Sequence, residues 1–291
     1  MKSGAAIGYL YAIVSSVGLG AAVALSRAAY DGGTDPLTIA TVRSIVGSVL
    51  LGGMCLAMGK SLRLPVAVWR RCAGLGVLLA YMFYGNIAAV QYIPVGLAAL
   101  LFFIYPPLVA LVMARLDRRR LDTVTILALS ASFLGLALML GVGLDGLDWR
   151  GVALGLIAGI ACAANISWIG RKMRGVDAFV MTFHMTLVAC VLIVSYAAVF
   201  SDGLTLPATD GGWYAAGGIV LLQSVSIPIF FAAIPRIGAQ NTSMLNNLQP
   251  VSSIVIAFVL YAELLSPVQG LGGAMVIGGI LLLQWWQTRR Q

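Results

Sequence analysis

Residues 240–250 read QNTSMLNNLQP, with three asparagines, two glutamines and a proline between two apolar stretches. Amide groups both donate and accept hydrogen bonds, so a run of them can hold a polar or zwitterionic head group without net charge. On a helix advancing about 100° per residue, Gln240, Ser243, Asn247 and Pro250 share one stripe. Thr242, Asn246, Gln249 and Ser253 share the neighbouring stripe, and Met244, Leu245, Leu248, Val251 and Val255 lie on the other side. In lipid, a polar half must turn toward other helices or a water-filled cavity. Interhelical hydrogen bonds, each contributing roughly 0.6–2 kcal/mol, explain two or three such residues better than seven. A cavity is therefore expected, with Ser243, Asn246, Asn247 and Gln249 as binding residues. Pro250 cannot donate to the carbonyl one turn back, which makes it a gating candidate or a packing kink.

Other polar side chains interrupt apolar sequence. His184 is the sole histidine; it could carry a proton, or sit neutral and hydrogen-bonded between helices. Arg43 lies eight residues after Asp35, roughly 12 Å along a helix. It could meet a carboxylate or snorkel to the surface. Asn165, Trp168, Tyr81, Tyr84, Asn86, Gln223 and Ser224 are further candidates for binding or for structural bonds.

These residues need elements to position them. The chain of 291 residues is 60% hydrophobic and 10% charged, which excludes an ordinary soluble domain. Apolar runs of bilayer-crossing length fall near 4–26, 36–58, 71–92, 95–115, 123–141, 151–170, 178–200, 212–234, 238–262 and 268–286. The expected fold is all-α, with ten transmembrane helices. The first run is too long for a signal-peptide core and reads as a retained helix. With the N-terminus inside, all but Arg27, Arg43 and Arg150 of the 18 basic residues fall on the cytoplasmic side. An even count returns the C-terminus there too. The net charge of +8 thus reflects a cytoplasmic-type (inner) membrane rather than nucleic acid.

All ten acids sit at segment ends or in loops. That argues against cation efflux driven by a membrane carboxylate. A phosphorylated substrate would want several cavity cations, and Arg43 is one. Neither clustered acid–base groups nor a metal-ligand set is present, and the four cysteines form no CxxC pair, so no enzyme, metal site or cofactor is expected.

The halves repeat. Aligning Pro106 with Pro250 also aligns Leu121 with Leu265 and Gly135 with Gly279. The first repeat spans 1–145 and the second 146–291. Five helices is an odd number, so the second copy must be inverted, and Arg118–Arg120 of one copy stand where Glu263 stands in the other. Inverted repeats with a midplane site are a transporter design. Phe102 then matches Asn246, Phe103 matches Asn247 and Tyr105 matches Gln249, giving one aromatic wall and one amide wall. Such a cavity suits a small molecule with an apolar side chain and a polar head. Gly151, Gly155 and Gly159 form a GxxxGxxxG face for close helix packing, compatible with rocking motion.

The two five-helix halves, the prolines at 106 and 250, Arg43, and the block YAELLSPVQGLGGAMVIGGILLL at 261–283 resemble the EamA-type branch of the drug/metabolite transporter superfamily over the whole chain. Two features depart from it: Arg119 replaces the first repeat's acidic residue, and Gly18-Leu19-Gly20 lacks a tryptophan-glycine pair. Within the superfamily the chain is most similar to bacterial exporters of neutral and aromatic amino acids. The resemblance implies export of small neutral or aromatic amino acids by alternating access, with another amphipathic metabolite or a drug as the alternative cargo. The partners implied are a small-molecule substrate and membrane lipid, without a defined oligomeric state.

Overall fold

A computed structural model describes residues 2–142, 147–201, 203–261 and 266–289. Its helices are α1 (Lys2–Asp31), α2 (Pro36–Ala57), α3 (Val66–Ala89), α4 (Val95–Phe102), α5 (Tyr105–Leu116) and α6 (Thr123–Met139). They continue as α7 (Trp149–Lys172), α8 (Ala178–Phe200), α9 (Asp210–Ile237), α10 (Ala239–Leu245), α11 (Leu248–Tyr261) and α12 (Pro267–Arg289). Among the described residues nine spans are long and apolar enough to cross a membrane, with α4–α5 and α10–α11 each forming one. The tenth, α6, has 17 residues and is shorter, about 25 Å at 1.5 Å per residue. The architecture is ten membrane helices in two inverted repeats. Glu263, invoked above for the charge inversion, lies outside the described residues.

Loop acids start the helices. Asp35 accepts from Leu37 and Thr38 N–H ahead of Pro36, Asp122 accepts from Thr125 N–H, and Asp148 accepts from Arg150 N–H. Asp177 accepts from Phe179 and Val180 N–H. Each satisfies donors that a helix cannot serve itself. This explains why the acids collect at segment ends.

Successive spans alternate in direction, so the start of α1 and the end of α12 lie on one face, the terminal face. On that face Lys60 Nζ lies 2.8 Å from Asp177 Oδ2, and Arg171 Nη1 lies 2.9 Å from Asp117 Oδ1. Burial alone raises the Asp177 carboxyl, but Lys60 and the two backbone N–H groups outweigh it and hold it below its ordinary value. A carboxylate depressed in the folded state stabilises fully above its unfolded value near ~3.9 and loses that contribution as pH falls through the folded value. Asp177→Ala is expected to cost about 0.5–2 kcal/mol at neutral pH through the lost cap. The gap from wild type in detergent thermal melts should narrow at pH ~3.

Small residues set the packing. Gly135 of α6 and Gly272 of α12 meet so closely that a Cβ on either would approach the other's carbonyl oxygen to 2.6 and 2.5 Å. Gly279, the repeat partner of Gly135, packs against Ala128 and Ser132. Gly151, Gly155 and Gly159 of α7 pack against Ile93, Leu101 and Ile104 respectively. The GxxxGxxxG face thus seats α4 and the break that follows it.

Candidate functional site

Two spans are interrupted, where the sequence predicted helices no more than kinked. Each break lies just ahead of a repeat-related proline. Without an N–H, Pro106 cannot bond the Phe102 carbonyl, nor Pro250 the Asn246 carbonyl. The chain tightens instead: Gln249 N–H reaches Asn246 O at 2.9 Å, and Ile104 N–H reaches Leu101 O at 3.4 Å. Two helices pack onto these breaks. A Cβ on Gly159 of α7 would lie 2.8 Å from the Leu101 carbonyl oxygen and 2.9 Å from that of Phe102. A Cβ on Gly20 of α1 would lie 2.5 Å from the Gln249 carbonyl oxygen. Gly20 belongs to the Gly18-Leu19-Gly20 departure, so close approach explains a small residue at that position.

The broken spans cross at mid-depth. Their halves toward the terminal face, α5 and α10, pack together, while α4 leans on α7 and α11 on α1. Arg119 Nη2 donates to Gln240 Oε1 at 2.6 Å on the packed side. A cavity of about 250 Å³ begins at the crossing and runs toward the opposite face, reaching Tyr30 and Pro36. Tyr30 and Pro36 flank the α1–α2 turn, at the end of these helices away from the start of α1.

Asn246 is the hub of the cavity floor. Its Nδ2 donates to the Tyr105 hydroxyl at 2.7 Å and to Gln249 Oε1 at 3.1 Å, and its Oδ1 accepts from Ser16 Oγ at 3.1 Å. One side chain therefore ties α1, α5 and α11 together. Phe102 and Tyr105 stand beside each other with ring centroids 5.6 Å apart. Higher up, Arg43 of α2 stacks on the Phe83 ring of α3 at 3.7 Å and donates to Gln223 Oε1 of α9.

Of the residues singled out from sequence, Asn246, Gln249, Phe102, Tyr105, Gln223 and Arg43 line this one cavity. Arg43 does so rather than snorkel. Asn247 and Ser243 do not: Asn247 turns to Met244 Sδ at 3.8 Å, and Ser243 Oγ donates to Gln240 O at 2.9 Å. The stripe that holds Asn246 and Gln249 faces the cavity, and the stripe that holds Ser243 and Asn247 turns away from it. Thr242 and Asn241 likewise serve carbonyls one turn back. Pro106 and Pro250 are both buried at the start of the halves they open.

The remaining candidates are dispersed. Asn165 is buried and donates from Nδ2 to Leu75 O at 3.0 Å, pinning α7 to α3. Trp168 is half exposed beside Arg70 and Arg71. His184 Nε2 lies 2.8 Å from Leu62 O, near the terminal face and off the cavity wall. Tyr81 lines a separate recess of about 330 Å³ between α2, α3 and α8, with Tyr84 and Tyr196, whose hydroxyls are 3.0 Å apart. Sequence reasoning missed Tyr30, Phe83, Phe230 and Phe231 on the cavity wall. No spacing distinguishes them from aromatic residues facing lipid.

Ten membrane helices, two of them broken beside a shared cavity, are the architecture of a membrane transporter. The EamA-like transporter family model matches the chain twice, at residues 6–141 and 149–285, and the chain belongs to that family. It is 25% identical over 251 residues to an uncharacterized transporter of Archaeoglobus fulgidus, covering 86% of this chain and 87% of that one. It is 27% identical over 230 residues to the threonine/homoserine exporter RhtA of Escherichia coli K12, covering 76% of this chain and 71% of that protein. A crystal structure of a protein with 20% identity superposes with a TM-score of 0.79 over 100% of this chain and 99% of the other. That likeness concerns the fold. The protein is thus an integral membrane transporter of small molecules.

Proposed function

We propose that the protein exports small neutral or aromatic amino acids and related metabolites by alternating access, without enzymatic chemistry. The observation that carries this reading is the cavity at the crossing of the two broken spans, with an amide floor and aromatic walls. The Nε2 groups of Gln249 and Gln223 supply donors for a polar head, and Asn246 Oδ1 keeps one lone pair beyond its bond to Ser16 as an acceptor. Phe102, Tyr105, Phe230 and Phe231 supply apolar surface for a side chain. At about 250 Å³ the cavity has room for a small metabolite. The named activity of RhtA supports an amino-acid cargo.

The basic residues on the terminal face support a cytoplasmic location for both termini in an inner membrane. The cavity then opens outward in this conformation, and the packed α5–α10 halves close the cytoplasmic side. The repeats are taken as residues 1–145 and 146–291. Exchanging their conformations would bring α4 and α11 together and part α5 from α10, turning the cavity inward.

Release from proteoliposomes loaded with the twenty amino acids and several cationic drugs tests the reading, with and without a pH gradient. Selective release of neutral or aromatic amino acids without a gradient is the expected result; drug movement alone would overturn the cargo. Gln249→Leu should slow that release about tenfold, roughly the effect of one hydrogen bond to a charged head. It leaves the Asn246–Tyr105 bond in place, so size-exclusion profiles should stay unchanged.

A further inference from the structure

We infer that Arg43 is the recognition group for a carboxylate on the cargo, so that the carboxylate is obligatory and a positively charged amino group is dispensable. This rests on the transport reading and narrows its substrate class. Arg43 lies eight residues beyond the Asp35 cap, roughly 12 Å along α2. Its guanidinium stays in the cavity wall, stacked on Phe83 and donating from Nη1 to Gln223. Both partners are neutral. Among the described residues no carboxylate oxygen lies within 4.0 Å of it. Asp35, the nearest acid along its own helix, is engaged with Leu37 and Thr38 N–H and the Thr38 hydroxyl.

A cation at this depth is expensive, and an aromatic face plus an amide oxygen offset only part of that cost. The guanidinium has five N–H donors in a planar fork that matches a carboxylate two-to-two. With Nη1 engaged by Gln223, donors remain for a ligand in the cavity. No Asp or Glu stands among the cavity-lining residues, so an ammonium group would find no full negative charge there. The wall therefore discriminates between the two charges of a zwitterion: it has a full charge for one end and none for the other.

The pairing also serves transport. An empty site carries a bare cation through any closed conformation, whereas a loaded site pairs the guanidinium with the carboxylate and leaves a zwitterion's ammonium outside that pair. Closing around a neutral pair removes less solvation from the charge than closing around the cation alone. Arg43 thus couples closure to loading.

Thermal stabilisation of the purified protein in detergent tests the inference with four matched probes: L-phenylalanine, 3-phenylpropionate, L-phenylalaninamide and 2-phenylethylamine. Phenylalanine and phenylpropionate should bind with midpoints within about threefold of each other, and the two amines at least about tenfold more weakly, a gap of one charge-assisted contact. Arg43→Gln should erase the difference among all four, and Arg43→Lys should restore part of it. Equal binding of amines and carboxylates by the wild type would overturn the assignment, as would unchanged discrimination in Arg43→Gln. The transport reading would survive either result. Stabilisation by none of the four would remove aromatic cargo and the inference together. If Arg43→Gln does not fold, the wild-type series still decides.

Discussion

Asn246→Leu is expected to reduce transport by about tenfold or more, because Gln249 and Tyr105 lose the amide that holds them in place on the cavity floor. The substitution removes the amide that joins Tyr105, Gln249 and Ser16. Ser16 keeps its bond to Ala12 O at 2.6 Å, but the buried Tyr105 hydroxyl loses the one partner found for it among the described residues. Leaving that group unpaired costs about 1–3 kcal/mol, so stability should fall as well. The two effects separate in a double-mutant cycle. Tyr105→Phe in the Asn246→Leu background removes the orphaned hydroxyl and should recover most of the lost thermal stability. Transport should not recover, because the amide itself faces the cavity. Recovery of both would make Asn246 a structural tie and nothing more.

The second large effect lies outside the cavity. Gly159→Leu should prevent assembly of the folded transporter. Its Cβ would meet two backbone carbonyl oxygens, at 2.8 and 2.9 Å, as well as Ile104 Cγ2 at 2.8 Å. Backbone atoms cannot step aside as a flexible side chain can, so α7 must move off the α4–α5 break. Overpacking of this kind costs roughly 1–3 kcal/mol and sometimes more. The expected readout is a collapse of the monodisperse fraction after detergent extraction. Gly217→Ala of α9 is the control: nothing lies within 4 Å of its Cβ position, and helix propensity improves by up to about 1 kcal/mol. A monodisperse Gly159→Leu protein with normal melting would show that the break can shift to make room.

Several of these features are legible in the residues. Apolar runs of membrane length, with the charges other than Arg43 near their ends, fix the class, since a bilayer admits few ways to satisfy a backbone. The two prolines at matching positions mark the repeat and the depth of the site. The polar run 240–250 marks the span that carries it. Ambiguity begins at single-residue angles. Asn246 and Asn247 are adjacent and chemically identical, yet one is the hub of the cavity floor and the other turns to Met244. A wheel drawn through an unbroken helix puts them on neighbouring stripes but cannot say which stripe meets the cavity, because that depends on the helices packed around the span.

Arg43 shows the same division. Its depth could be counted from Asp35, but its length allows the side chain either to leave the membrane or to remain within it. Phe83 and Gln223, from α3 and α9, decide that question. His184 and Trp168, as conspicuous in sequence, are carried to the terminal-face loop and to an outer surface. By itself, then, the sequence determined the ten-helix inverted-repeat membrane architecture and the span that holds the amides, because hydropathy and proline act locally along a chain. Only the tertiary structure decided which polar side chains share one cavity. Facing across helices depends on breaks, rotations and close glycine contacts, none of which has a periodic signature.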